Sequence, residues 1–132
     1  MDPKPADVLI IEDDAPMREA LREHLQAAYP AAIIVEAADG ASALELCRRH
    51  AFRVVLTDVG LPDFNGIDLI PRIKALLAAT AIIVVSMHAD PVYIERAHAA
   101  GAVAYVTKDK VYRELLPAVA RVLGAAQERP QS

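Results

Sequence analysis

Apolar residues in this chain gather in five short runs, Val8–Ile11, Ile33–Ala37, Val54–Thr57, Ala81–Val85 and Ala102–Val106. Between the runs, apolar positions recur at helical spacing instead. Short continuous runs rich in Val and Ile read as strands covered on both faces, and their alternation with helices predicts βαβ units around a mostly parallel sheet.

The helical stretches carry their own punctuation. The first opens near Asp14-Ala15-Pro16, sets Met17, Leu21, Leu25 and Ala28 on one face, and stops at Pro30. The second follows Asp39-Gly40 and buries Ala43, Leu44 and Cys47. The third follows the loop Gly60–Gly66 and presents Ile67, Ile70, Ile73 and Leu77, with Pro71 predicting a kink or a late start. The fourth has Asp90 as N-cap, Pro91 at the first position and Gly101 at its close. The fifth aligns Val111, Leu115, Val119 and Val122, and Pro117 inside it has no rationale at this level. Residues 1–6 are expected to be disordered, 7–124 to form one domain, and 125–132 to be a tail or the start of a linker.

Composition narrows the class. A chain of 132 residues with 55% hydrophobic content is long enough for one domain with a sizeable core. Its net charge of −4 and the lack of a basic stripe argue against a free-standing duplex DNA binder. The densest basic cluster, Arg48-Arg49-His50, reads as a helix end, where cations suit the dipole. The single Cys47 has no disulfide or ligand-spaced partner and reads as a small buried helix residue. No apolar stretch reaches the roughly 18 residues of a membrane span, and no signal-peptide pattern opens the chain, so a cytoplasmic location is expected.

The chemistry collects where the strands end. Glu12-Asp13-Asp14 follows the first run, Asp58 the third, Ser86 the fourth and Lys108 the fifth. In open parallel sheets ligands gather at these carboxyl ends. If the first and third strands are neighbours, their acids meet, and like charges at ~4 Å repel by about 4 kcal/mol at an effective dielectric near 20. A cation must then join them. Carboxylate oxygens without nearby imidazole or thiolate favour a hard ion, and Mg²⁺ fits best. Asp58 is the natural covalent acceptor of a phosphoryl group, with Lys108 and the Ser86 hydroxyl as partners for its oxygens. The plainer readings are caps: Asp58 as a loop cap, the acidic triplet as the cap of the first helix, a role that suits Asp14 best.

Four motifs carry a resemblance. Ile10-Ile11-Glu12-Asp13-Asp14, Thr57-Asp58-Val59-Gly60-Leu61-Pro62-Asp63-Phe64-Asn65-Gly66, Val84-Val85-Ser86-Met87-His88 and Ala104-Tyr105-Val106-Thr107-Lys108-Asp109 together resemble response-regulator receiver domains of two-component signalling, over about residues 7–124. The resemblance implies a flavodoxin-like, doubly wound five-stranded sheet of order 2-1-3-4-5 with helices on both faces. It also implies that Asp58 is phosphorylated by a histidine kinase or phosphotransfer protein, and that Glu12, Asp13, Asp58 and the backbone carbonyl of Gly60 hold Mg²⁺. Ser86 and Tyr105 would be switch residues, and Lys108 would bridge phosphate and acids. Such a domain is a switch rather than an enzyme in its own right, acting through the helix 4–strand 5–helix 5 face on an effector or a second copy.

The Ser86-Met87-His88 run and Lys108-Asp109 are similar to the NarL/FixJ-like subfamily, whose members usually carry a LuxR-type helix-turn-helix. DNA would then be reached only through an effector domain outside this chain. Departures from the family pattern are Gly60, two residues past the acceptor, which predicts altered access for hydrolytic water; the bulk of Met87 and His88, which predicts a screened site; and Asp109 in place of proline. Two other readings use the same residues: an aspartate-nucleophile phosphatase, which wants a second Asp where Gly60 stands, and a metal-free interaction module. No Gly-rich phosphate loop follows the first strand, which argues against flavin or nucleotide binding.

Overall fold

A computed structural model of the chain describes residues 3–124. Five strands alternate with five helices: β1 (Lys4–Ile11), α1 (Ala15–Ala28), β2 (Ile34–Ala37), α2 (Gly40–Arg49), β3 (His50–Thr57), α3 (Gly66–Leu76), β4 (Ala81–Ser86), α4 (Pro91–Ala100), β5 (Ala104–Thr107) and α5 (Val111–Leu123). All strand pairs are parallel and the order is β2-β1-β3-β4-β5, which makes β1 and β3 neighbours, as the resemblance implied.

The alternation of side chains along each strand divides the core in two. Leu9, Ile11, Val55, Ile82 and Val84 face α2, α3 and α4, where Leu44, Cys47, Ile70, Ile73 and Ala97 cover them. Val8, Ile10, Val54, Leu56, Ile83 and Val85 face α1 and α5, meeting Leu21, Leu25, Leu115 and Val119. Strands covered on both sides need no polar face, which is why the sequence shows them as unbroken apolar runs.

Residues 4–6 correct the expectation of a disordered N-terminus. Lys4, Pro5 and Ala6 pair with His50, Ala51 and Phe52, because β3 begins four residues before its apolar run and offers them an edge. β2 reaches only Val8–Ile11, so Pro5 lies on an open strand edge where its missing N–H costs little. Residues 1–2, and the tail assigned to 125–132, lie outside the described residues.

The caps follow the sequence closely. Asp14 accepts from Met17 N–H at 3.0 Å and Asp90 from Val92 N–H at 3.1 Å. Gly101 closes α4 at φ 121°, a left-handed conformation that favours glycine. α3 and α5 run through Pro71 and Pro117, which both lie on solvent faces where a stranded carbonyl can meet water. Cys47 is buried in α2, and desolvation pushes its thiol up to about 11.

Candidate phosphoacceptor and metal site

The β1–β3 pairing aligns Ile11 with Thr57, so the residues that follow them emerge side by side at the carboxyl edge of the sheet. Asp58 N–H donates to Ile11 O at 3.2 Å and Glu12 N–H to Ala37 O at 3.0 Å, extending the ladder into the acidic turn. The result is two nearly buried carboxylates, Glu12 at 1% and Asp58 at 8% exposure, beside an exposed Asp13. Oxygens from all three lie within 4.8 Å of one another.

Lys108 answers part of that charge. Its Nζ lies 2.9 Å from Glu12 Oε1 and 2.9 Å from Asp58 Oδ2. One ammonium thus bridges the two carboxylates, and Lys108 is the close partner of a Glu12 Oε1 that is sealed from solvent. Asp58 Oδ1 accepts from Val59 N–H at 2.7 Å, which fixes the carboxylate rotamer. Burial raises the pKa of Glu12, and the neighbouring Asp58 charge adds to this, against the opposing pull of Lys108 and the Asp14 N–H. Burial pulls the Lys108 ammonium down, yet its contacts with Glu12 and Asp58 prevail and hold it above the ordinary lysine value.

Three carboxylates that converge on a single ammonium are a donor set for a hard divalent cation. The set opens into a cleft of about 860 Å³ lined by Glu12, Asp13, Asp58 and Lys108, with Met17, Met87 and Asp109 at its rim. Met87 lines the cleft and is 78% exposed. His88 does not line it; its ring stacks on Tyr93 at 4.6 Å and faces a neighbouring groove that Gly60 also lines.

Ser86 and Tyr105 stand one step back. Ser86 is fully buried, and its Oγ accepts from His88 N–H at 3.1 Å. Tyr105 Oη donates to His88 O at 2.6 Å. The backbone of residue 88 therefore joins the two side chains. Every described peptide bond is trans, including that between Lys108 and Asp109.

Two contributors escape a reading by motif. Arg18 Nη1 donates to Glu12 O at 2.7 Å while its Nε pairs with Glu36 on β2 at 3.2 Å, tying the acidic turn to α1 and β2. Its only sequence signal is a cation four residues into the first helix. Gly66 presses on the acceptor itself: a Cβ there would lie 1.7 Å from Asp58 O. A glycine directly after the loop hints at close approach, but not at what is approached.

Comparison with known proteins agrees with this geometry. Residues 8–120 match the family model described as "Response regulator receiver domain". The chain is 38% identical over 116 residues to the Transcriptional regulatory protein PdtaR of Mycobacterium tuberculosis and 30% identical over 119 residues to the Probable transcriptional regulatory protein NarL of the same species. These alignments cover 87% and 89% of this chain but only 55% of each relative. Among solved structures, a LuxR-family two-component response regulator from Aurantimonas sp. SI85-9A1 superposes with a TM-score of 0.83 at 30% identity, covering 91% of this chain and 86% of that one.

Proposed function

Because the chain belongs to the response regulator receiver domain family, we propose that Asp58 accepts a phosphoryl group and that its charge switches the surface around β5. The donor is a phosphohistidine on a kinase or phosphotransfer protein. A carboxylate oxygen of Asp58 attacks phosphorus, the phosphorus–nitrogen bond breaks, and the imidazole leaves with the electron pair and takes up a proton. The observation that carries this reading is Lys108 Nζ, 2.9 Å from both Glu12 and Asp58, in a cleft where three carboxylates converge.

Mg²⁺ suits the donor set, held by Glu12, Asp13, Asp58 and the backbone carbonyl of Gly60. When bound, it would offset the negative charge that otherwise repels a phosphoryl donor. This chain's residues do the rest. Val59 N–H orients the Asp58 carboxylate, and Lys108 meets the incoming oxygens. Ser86 turning toward the phosphoryl group gives up its bond to His88 N–H, and the loop so released also holds Tyr105. That relay carries the change to α4, β5 and α5, where an effector or a second copy docks. Cytoplasmic action on transcription, through an effector outside this chain, completes the proposal. Among the described residues no helix is long and apolar enough to cross a membrane.

Gly60 offers no side-chain acid two residues after Asp58, which disfavours a phosphatase. The test is phosphorylation by acetyl phosphate with Mg²⁺, read by intact mass. The wild type should gain one phosphoryl group and Asp58→Asn none; equal uptake by Asp58→Asn would refute the assignment. A wild type without any Mg²⁺-dependent amide shift would favour the metal-free module.

A further inference from the structure

The turn between β3 and α3 is mostly exposed, yet it is fastened at its tip. Asp63 accepts with both carboxylate oxygens from α2, at 2.8 Å from Gly40 N–H and 2.9 Å from Ala41 N–H. Beside it the Phe64 ring lies so close to Gly40 that a methyl group there would come within 2.3 Å of Cδ2. Arg72 covers the ring from α3, with its guanidinium 4.9 Å from the ring centroid.

The first four N–H groups of α2 are thereby accounted for. Asp63 takes those of Gly40 and Ala41. The Asp39 side chain takes that of Ser42 at 2.7 Å, and Asp39 O takes that of Ala43 at 3.2 Å. Asp39 is therefore the cap that α2 supplies for itself, while Asp63 reaches across from another element. Capping α2 is one effect of that reach. It also fixes the turn, whose stem is closed by the Gly60–Asn65 bridge and by Gly66 N–H to Val59 O at 2.7 Å.

We propose that Asp63 is a positioning residue of the phosphoacceptor site, clasping the β3–α3 turn to α2 and so restricting the conformations from which the Gly60 carbonyl can meet the divalent cation. The inference rests on the metal reading above. Without the clasp, the turn samples open conformations, and cation binding must first select the competent one. If that population falls to a tenth, the apparent Kd rises about tenfold.

The experiment is titration of the full ¹⁵N-labelled chain with MgCl₂, following the amides of Asp13, Val59, Gly40 and Ala41, beside urea denaturation of each variant. Asp63→Ala should shift the Gly40 and Ala41 amides and weaken Mg²⁺ binding about tenfold. Asp63→Asn keeps one acceptor and should fall between; it carries the test if the alanine variant does not fold. Asp39→Ala removes the other cap of the same helix and should lower stability while leaving Mg²⁺ affinity at the wild-type value. Wild-type affinity in Asp63→Ala with its α2 amides shifted would overturn the clasp alone. Equal weakening in Asp39→Ala would reduce Asp63 to helix stability and overturn it too. A wild type with no saturable Mg²⁺ response would bring down the metal reading and the clasp together.

Discussion

Gly66→Ala is the sharpest single perturbation of this site, because it adds one methyl group and touches no reactive atom. The new Cβ would stand 1.7 Å from Asp58 O, 2.7 Å from Asp58 C and 3.1 Å from Thr57 Oγ1. Real side-chain carbons essentially never approach closer than 3.0 Å, so the gap must open by more than an ångström. No flexible side-chain tip can yield here; the obstacle is backbone at the end of a central strand. Either β3 withdraws, or the start of α3 swings out and strains Gly66 N–H to Val59 O, a bond of 2.7 Å. Overpacking of this kind costs about 1–3 kcal/mol. A misplacement of about 1 Å at the reacting group costs roughly a hundredfold in rate. The assay pairs urea denaturation with acetyl phosphate phosphorylation in Mg²⁺. Gly60→Ala is the control, since nothing lies within 4 Å of its Cβ position, and its stability should match the wild type. A Gly66→Ala protein with wild-type stability and an unchanged phosphorylation rate would refute the close approach.

Lys108→Met should destabilise the metal-free protein by about 1–3 kcal/mol, since Glu12 and Asp58 lose their counter-ion; urea denaturation with and without MgCl₂ should show Mg²⁺ rescuing the variant more than the wild type, and equal rescue would count against it. Burial holds Glu12 above the ordinary glutamate pKa, so in chelator its neutral form favours folding below pH 4.5 and that contribution is lost as pH rises through the raised value. Mg²⁺ needs the ionised form, so its affinity should fall with acidification sooner than for an ordinary glutamate; a calorimetric titration series with pH-independent affinity across that window would contradict this. The Cys47 thiol, at about 11, should ignore a disulfide reagent at neutral pH until denaturant is added, and the stability it supports should persist below pH 9 and decline toward pH 11; rapid labelling of the native protein would show that Cys47 is not sealed.

Much of this molecule was legible as letters because parallel strands and helix caps write local signals. Val8–Ile11 and Val54–Thr57 could only be buried strands, and Asp14 and Asp90 sit where a helix needs an acceptor. The acids at the ends of β1 and β3 were equally plain, although their meeting depended on a strand order supplied by resemblance. What stayed hidden was contact between distant segments. Residues 4–6 have no strand pattern of their own and take their conformation from His50–Phe52. Asp63 reads as a turn residue after Pro62, and nothing in that spelling names α2 as its partner. Arg18 reads as an ordinary solvated helix cation until Glu12 O is found 2.7 Å away.

The charges at the site explain why its geometry is worth holding so firmly. Glu12, Asp13 and Asp58 bring three negative charges within 4.8 Å, and Lys108 supplies one positive charge, so a formal excess of two negatives remains. A packed apolar edge would be more stable than this arrangement. On the proposed function, a divalent ion would match the deficit in size and sign. The proposed phosphorylation would then replace the single charge of Asp58 with about −1.5 to −2. The extra charge has no cation left to meet it except Lys108, which is already engaged. Ser86 offers a buried neutral hydroxyl at the end of the neighbouring strand, and its present bond to His88 N–H is what must break for it to respond. Since His88 O also holds Tyr105, a charge increment at Asp58 reaches β5 through the backbone of a single residue. An Asp58 phosphoryl group that left the Tyr105 hydroxyl bonded to residue 88 would mean the signal leaves by another route.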